Sequence, residues 1–65
     1  MQYSVKVTLS NGQEISFLTR GASKIEVRNS VTNTSIDEWQ YFDNASRTGF
    51  FKRKEVVSIL IKEVD

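Results

Sequence analysis

Polar and apolar residues alternate from the start of the chain. Tyr3, Val5, Val7 and Leu9 fall on one face of an extended segment, with Ser4, Lys6 and Thr8 on the other. This is the period-two pattern of a half-buried strand. Asn11-Gly12 follows, the dipeptide that best tolerates positive φ at both centres of a two-residue hairpin turn. Beyond it Ile15 and Phe17 share a face, with Ser16 and Leu18 opposite. Residues 2–20 therefore read as a β-hairpin.

From residue 21 two periods compete. Ser23 and Glu26, three apart after Gly21, fit a capping box, and Val27 and Val31 lie four apart as on a helix face. Ile25 falls off that stripe, and the segment is rich in β-branched residues and Asn, which weaken a helix. Read with period two, Ile25 and Val27 alternate with Lys24, Glu26 and Arg28. "VTNTS" then turns the chain, and "IDEWQYFD" returns as a strand. Trp39, Tyr41 and Phe42 favour that strand. The extended reading is preferred. On it Trp39 and Tyr41 face one way and Phe42 the other, so the strand is covered on both faces or bulged.

"DNASRTG" is a turn cluster. Phe50 and Phe51 make a short strand and, being adjacent, face opposite ways. "KRKE" holds no apolar residue and reads as one tight turn. In "VVSILIKEV", Val57, Ile59 and Ile61 share a face, with Val56, Ser58 and Leu60 on the other. Apolar residues on both faces predict a central strand. The expected fold for residues 1–65 is one all-β domain, a five- or six-stranded antiparallel small barrel or curled sheet, since closure removes sticky edges. The alternative is α+β, with a helix at about 24–34 on a four-stranded sheet. The predicted core is Val5, Val7, Ile15, Phe17, Val27, Trp39, Phe51, Val57, Ile59 and Ile61.

Composition narrows the chemistry. The chain has 65 residues and neither Cys nor His. Disulfides, thiolate metal sites, the commonest metal ligand and the usual general base are all missing. Three glycines are too few to cradle phosphates and also serve turns. No enzyme activity and no cofactor is expected. A chain this short gains little stability from one core, which favours a homo-oligomer. Nine Lys plus Arg against eight Asp plus Glu give a net charge of +1, which argues neither for nor against nucleic acid. No apolar run approaches the ~20 residues that span a bilayer, so no membrane partner is expected. The N-terminus lacks the apolar region of a secretion signal, so the chain reads as cytoplasmic. "NTS" at Asn33 and "NAS" at Asn44 are then polar turns, not glycosylation acceptors.

"VTLSNGQEISF" at one end and "GFFKRKEVVSILI" at the other, around a middle segment with Trp39 near its end, resemble small uncharacterised proteins from phages and prophages of Gram-positive bacteria. The likeness covers both ends and hardly touches residues 20–37. It implies a protein encoded by a phage or mobile element, and it transfers no functional residue. The closing element also looks like the ends of Sm-like and Src-homology-like small barrels, where a 3₁₀ turn precedes the last strand. That likeness concerns fold alone.

Two surfaces remain as candidates. Trp39 and Tyr41 beside Asp37 and Glu38 combine interface-type aromatics with acids and suit a protein partner. The plainer account makes Trp39 the largest core residue and the acids a solvated turn. Asp37 and Glu38 are adjacent and diverge on a strand, so they form neither a metal pair nor an acid–base pair. Arg47, Phe50, Phe51, Lys52, Arg53 and Lys54 form a basic-aromatic stretch that could stack bases and follow phosphates. The plainer account puts one phenylalanine in the core, the other over a sheet edge, and the cations around a solvated turn. The expected function is non-enzymatic binding of another protein, with a nucleic-acid-binding barrel as the alternative.

Overall fold

A computed structural model describes residues 1–64. Its elements run β1 Gln2–Leu9, β2 Glu14–Arg20, α1 Lys24–Thr32, β3 Trp39–Asp43, β4 Thr48–Lys52, a 3₁₀ turn Arg53–Glu55, and β5 Val56–Glu63. The strands form a three-stranded antiparallel sheet in the order β2-β1-β5 and a separate two-stranded ribbon β3-β4. The fold is thus β-rich and antiparallel, as expected, but no sheet closes into a barrel. The segment 24–32 is helical, within the bounds of the α+β alternative.

The first hairpin forms where the alternation placed it. Val5 lies opposite Phe17 and Val7 opposite Ile15, and all four are buried. The turn differs from the expected two-residue type. Within this turn positive φ occurs at Gly12 alone, at +87°. Leu9 N donates to Gln13 O at 2.8 Å, and Gly12 N to Leu9 O at 2.9 Å. This is the three-residue loop that ends on a left-handed glycine. Asn11 assists with its side chain, whose Oδ1 accepts from Gln13 N.

Helix α1 wins over the extended reading through burial. Val27 and Val31, one turn apart, are both in the core, while Ile25 is 64% exposed on the opposite side. Each buried valine contributes roughly 1.5–3 kcal/mol, more than the few tenths by which β-branched residues disfavour a helix. Ser23 caps the helix, its Oγ accepting from Glu26 N at 3.2 Å. Two hydroxyl side chains turn back on the helix. Ser30 Oγ donates to Val27 O and Thr32 Oγ1 to Arg28 O.

Helix and ribbon lie against the inner face of the three-stranded sheet, α1 beside β5 and β3 beside β2. Between them Tyr3, Val5, Val7, Leu9, Ile15, Phe17, Val27, Val31, Phe42 and Phe51 make one core. Phe51 links the two sheets, with its ring 6.2 Å from Phe17 and 6.1 Å from Phe42. The expected core loses two members. Trp39 is 44% exposed and Phe42 takes the inner place on β3. Val57 is 66% exposed, because the β1–β5 register shifts between Thr8 and Leu9 and brings Leu9 opposite Val56. That irregularity moves Val56 into phase with Ile59 and Ile61, which pack partly buried against the core. β5 is an edge strand, not the central one; β1 holds the centre.

Candidate functional site

The site begins with the turn that sets the β3–β4 register. Asn44 Oδ1 accepts from Ser46 N and Arg47 N, each at 2.9 Å, and Asn44 N donates to Arg47 O. This fixes Tyr41 opposite Phe50 and Trp39 opposite Lys52. Strand alternation then does the sorting. Phe42 and Phe51 face the core. Trp39, Tyr41 and Phe50 face away, and Phe50 is 63% exposed.

On that outer face the two candidate sets merge. The Tyr41 and Phe50 rings meet edge to face with centroids 5.5 Å apart. Lys52 Nζ stands 5.4 Å from the Trp39 ring centroid and 3.6 Å from Glu38 Oε1. Asp37 is spent locally, its Oδ1 accepting from Trp39 N at 3.2 Å. The result is an aromatic strip of three rings flanked by one cation and its acidic partner. The Tyr41–Phe50 and Trp39–Lys52 pairings were legible in principle, because a turn centred on "NASR" forces them. The expectation treated the two stretches as separate surfaces and missed their union.

The rest of the basic-aromatic stretch separates from this face. Arg53 is buried, and four of its N–H groups are engaged. Nε donates to Ser30 O at 2.9 Å, Nη1 to Asp37 O at 2.7 Å and Trp39 O at 2.6 Å, and Nη2 to Gln40 Oε1 at 2.6 Å. It therefore ties α1 to β3, and the expected solvated turn is a structural clamp. Arg47 Nη2 donates to Glu14 O at 3.1 Å, and its guanidinium carbon lies 5.9 Å from the Phe42 ring centroid. Lys54 stays exposed on the 3₁₀ turn. Of the cations proposed for phosphate, Lys52 and Lys54 keep free faces.

An open cleft of about 460 Å³ runs beside β4, walled by Asn11, Gln13 and Ile15 on one side and Trp39, Phe50 and Lys52 on the other. Glu55 lies at its margin, bonded to Ser10 Oγ. Among the described residues no group of three or more acidic side chains is placed to hold a metal ion. No helix among them is long and apolar enough to cross a membrane. Comparison of the chain with protein-family models, with curated proteins and with solved structures finds no match.

Proposed function

We propose that the protein is a non-enzymatic binding module whose contact surface is the outer face of the β3–β4 ribbon, and that the partner is another protein. The observation that carries this reading is the outward placement of Trp39, Tyr41 and Phe50 on one strip while the core beneath is filled by Phe42 and Phe51. Rings already held by cross-strand contacts lose little conformational freedom on binding, which is why aromatic residues dominate the energetics of interfaces. Lys52 and Glu38 supply a polar rim.

A single-stranded nucleic acid is the second reading, supported by the same three rings with Lys52 beside them. Charge weighs against it. Arg53 is internal, Arg47 is bonded to Glu14 O, and Asp37 and Glu38 just before β3 and Asp43 at its end bring negative charge to the ribbon.

The test compares the wild-type chain with a Tyr41→Thr/Phe50→Thr variant, both immobilised and exposed to lysate, with the retained proteins quantified by mass spectrometry. Threonine keeps the strand preference, and circular dichroism verifies the fold. A protein retained by the wild type and lost from the variant is the expected result. Equal retention, or none by either, overturns the reading. Binding of a short oligonucleotide that weakens steeply as salt rises would favour the second reading.

A further inference from the structure

The exposed strand edges are treated unequally. On β2, Asn44 Nδ2 donates to Ser16 O at 2.6 Å and Arg47 Nη2 to Glu14 O at 3.1 Å. On β3, Trp39 O accepts from Arg53 and Tyr41 O from Gln40 Nε2. Side chains thus occupy groups that a foreign strand would need. The outward backbone groups of β4, at Thr48, Phe50 and Lys52, have no hydrogen bond among the described residues, and they open into the cleft beside the β1–β2 turn.

β5 has no such cover. Val64 N donates to Gln2 O, and Lys62 and Leu60 lie opposite Ser4 and Lys6. Residues 60, 62 and 64 therefore turn their backbone groups toward β1, while Ile59, Ile61 and Glu63 turn theirs outward. Among the described residues no hydrogen bond reaches that outer row. Leu60, 62% exposed, stands on the solvent face of this edge.

We propose that the occupant of this edge is a second copy of the chain, paired β5 to β5′ antiparallel about a two-fold axis through Leu60. The outward backbone groups restrict the pairing to registers that set odd residues against odd. With Leu60 on the axis, Leu60 meets Leu60′ on one face and Ile59 meets Ile61′ on the other. Ser58 then meets Lys62′ and Val57 meets Glu63′, and no like charges stand opposite each other. Leu60 and Leu60′ form the closer, non-hydrogen-bonded kind of pair. The neighbouring registers are worse. Setting Ile61 on Ile61′ puts Lys62 against Leu60′ and Glu63 against Ile59′. Setting Ile59 on Ile59′ puts Ser58 against Leu60′. Lys6, beside Leu60 on β1 and paired with Glu14 at 3.3 Å, flanks the leucine pair without an uncompensated charge.

The assembly stops at two. It forms a continuous sheet β2-β1-β5-β5′-β1′-β2′ whose ends are the edges held by Asn44 and Arg47, so the contact is self-complementary and closed.

Sedimentation equilibrium across a dilution series should return twice the chain mass, and a monomer at every concentration overturns the proposal. Leu60→Lys and Leu60→Glu should each shift the equilibrium to monomer with unchanged circular dichroism, and an equimolar mixture of the two should restore the dimer. Register is read by cysteine. The chain contains none, so Leu60→Cys with diamide as oxidant should give a covalent dimer, because residue 60 meets itself at disulfide range. Ser58→Cys should not, because it meets residue 62′. A dimer that ignores the Leu60 charges, or that cross-links through Cys at 58 and not at 60, overturns the β5 assignment.

Discussion

The β1–β2 hairpin sends Tyr3, Val5, Val7, Leu9, Ile15 and Phe17 inward and leaves Leu18 as its large apolar residue outside. The shorter β3–β4 ribbon sends only Phe42 and Phe51 inward and leaves Trp39, Tyr41 and Phe50 outside. In the first hairpin the demand of the core accounts for nearly every apolar residue. In the second the core takes two rings and is satisfied, so the other three answer to a different surface. A grouped aromatic patch costs solubility, and the ribbon's outer face carries that cost beside the Glu38–Lys52 pair. Aromatic content alone is thus a poor guide to the centre of a small sheet; the turn that sets the register decides which ring goes in.

This contrast predicts its largest effect at Phe42. Phe42→Ala removes a buried ring that Phe51 and Arg47 both touch. A loss of about 4 kcal/mol is expected. That is comparable to the roughly 3–5 kcal/mol that one small core supplies, so the variant should be unfolded at room temperature by circular dichroism. A folded Phe42→Ala protein would break the division of the ribbon into a structural face and a proposed binding face.

Arg53 is next. Arg53→Met keeps the apolar stem and removes the donors that serve Ser30 O, Asp37 O and Trp39 O. Leaving a buried carbonyl without a partner costs about 1–3 kcal/mol, and less for these three, which are only part-buried. A net destabilisation of about 3 kcal/mol is expected in urea unfolding. Arg53→Lys should recover little of it, since an ammonium cannot span four acceptors held in a planar fan. A Lys variant as stable as the wild type would show that charge, not the fork of donors, holds α1 to β3.

Asn44 tests the join between the two hairpins. Its amide nitrogen reaches Ser16 O on β2 while its oxygen organises the β3–β4 turn. Asn44→Ala should cost about 1 kcal/mol, in line with the loss of an exposed turn and edge contact. It should also leave Ser16 O open at the β2 edge. An unchanged urea midpoint would show that Asn44 does not hold the two hairpins together and that Arg47 and the phenylalanine contacts do.

The first hairpin was legible because a single rule, alternation, governs residues 2–20 and no competing period runs through them. Residues 24–32 were harder. Local preference points to extended chain at Ile25, Val27, Val31 and Thr32, and the Ser23 cap with tertiary burial of Val27 and Val31 reverses it. A one-residue irregularity defeated the reading of β5: alternation counted back from Ile61 selects Val57, while the shift opposite Thr8 and Leu9 selects Val56. Arg53 was the least legible. In "KRKE" it is one cation among three, and its burial depends on carbonyls from residues 30, 37 and 39, which the fold brings together from two distant elements. The candidate site itself was half visible. All its members stood out as residue types, but their union needed the register that Asn44 sets.

An effect no larger than that at Asn44 is expected at the residue that composition alone would rank first. Trp39 carries the largest side chain in the protein, and as a core residue its truncation would cost roughly 3–5 kcal/mol. Here almost half of its surface is in water, its ring contacts Lys52, and its backbone, not its side chain, serves Arg53 and Asp37. Trp39→Ala gives up partial burial and one exposed cation–π contact worth roughly 0.5–1 kcal/mol, while the carbonyl that Arg53 holds remains in place. The net loss should be about 1 kcal/mol, visible as a modest fall in the urea midpoint of a protein that still folds. The same substitution should weaken partner capture far more than it weakens the fold. Measured together, the two numbers separate a ring that props up the ribbon from a ring the ribbon displays: a loss near that of Phe42→Ala would return Trp39 to the core and remove the outer strip as a binding face.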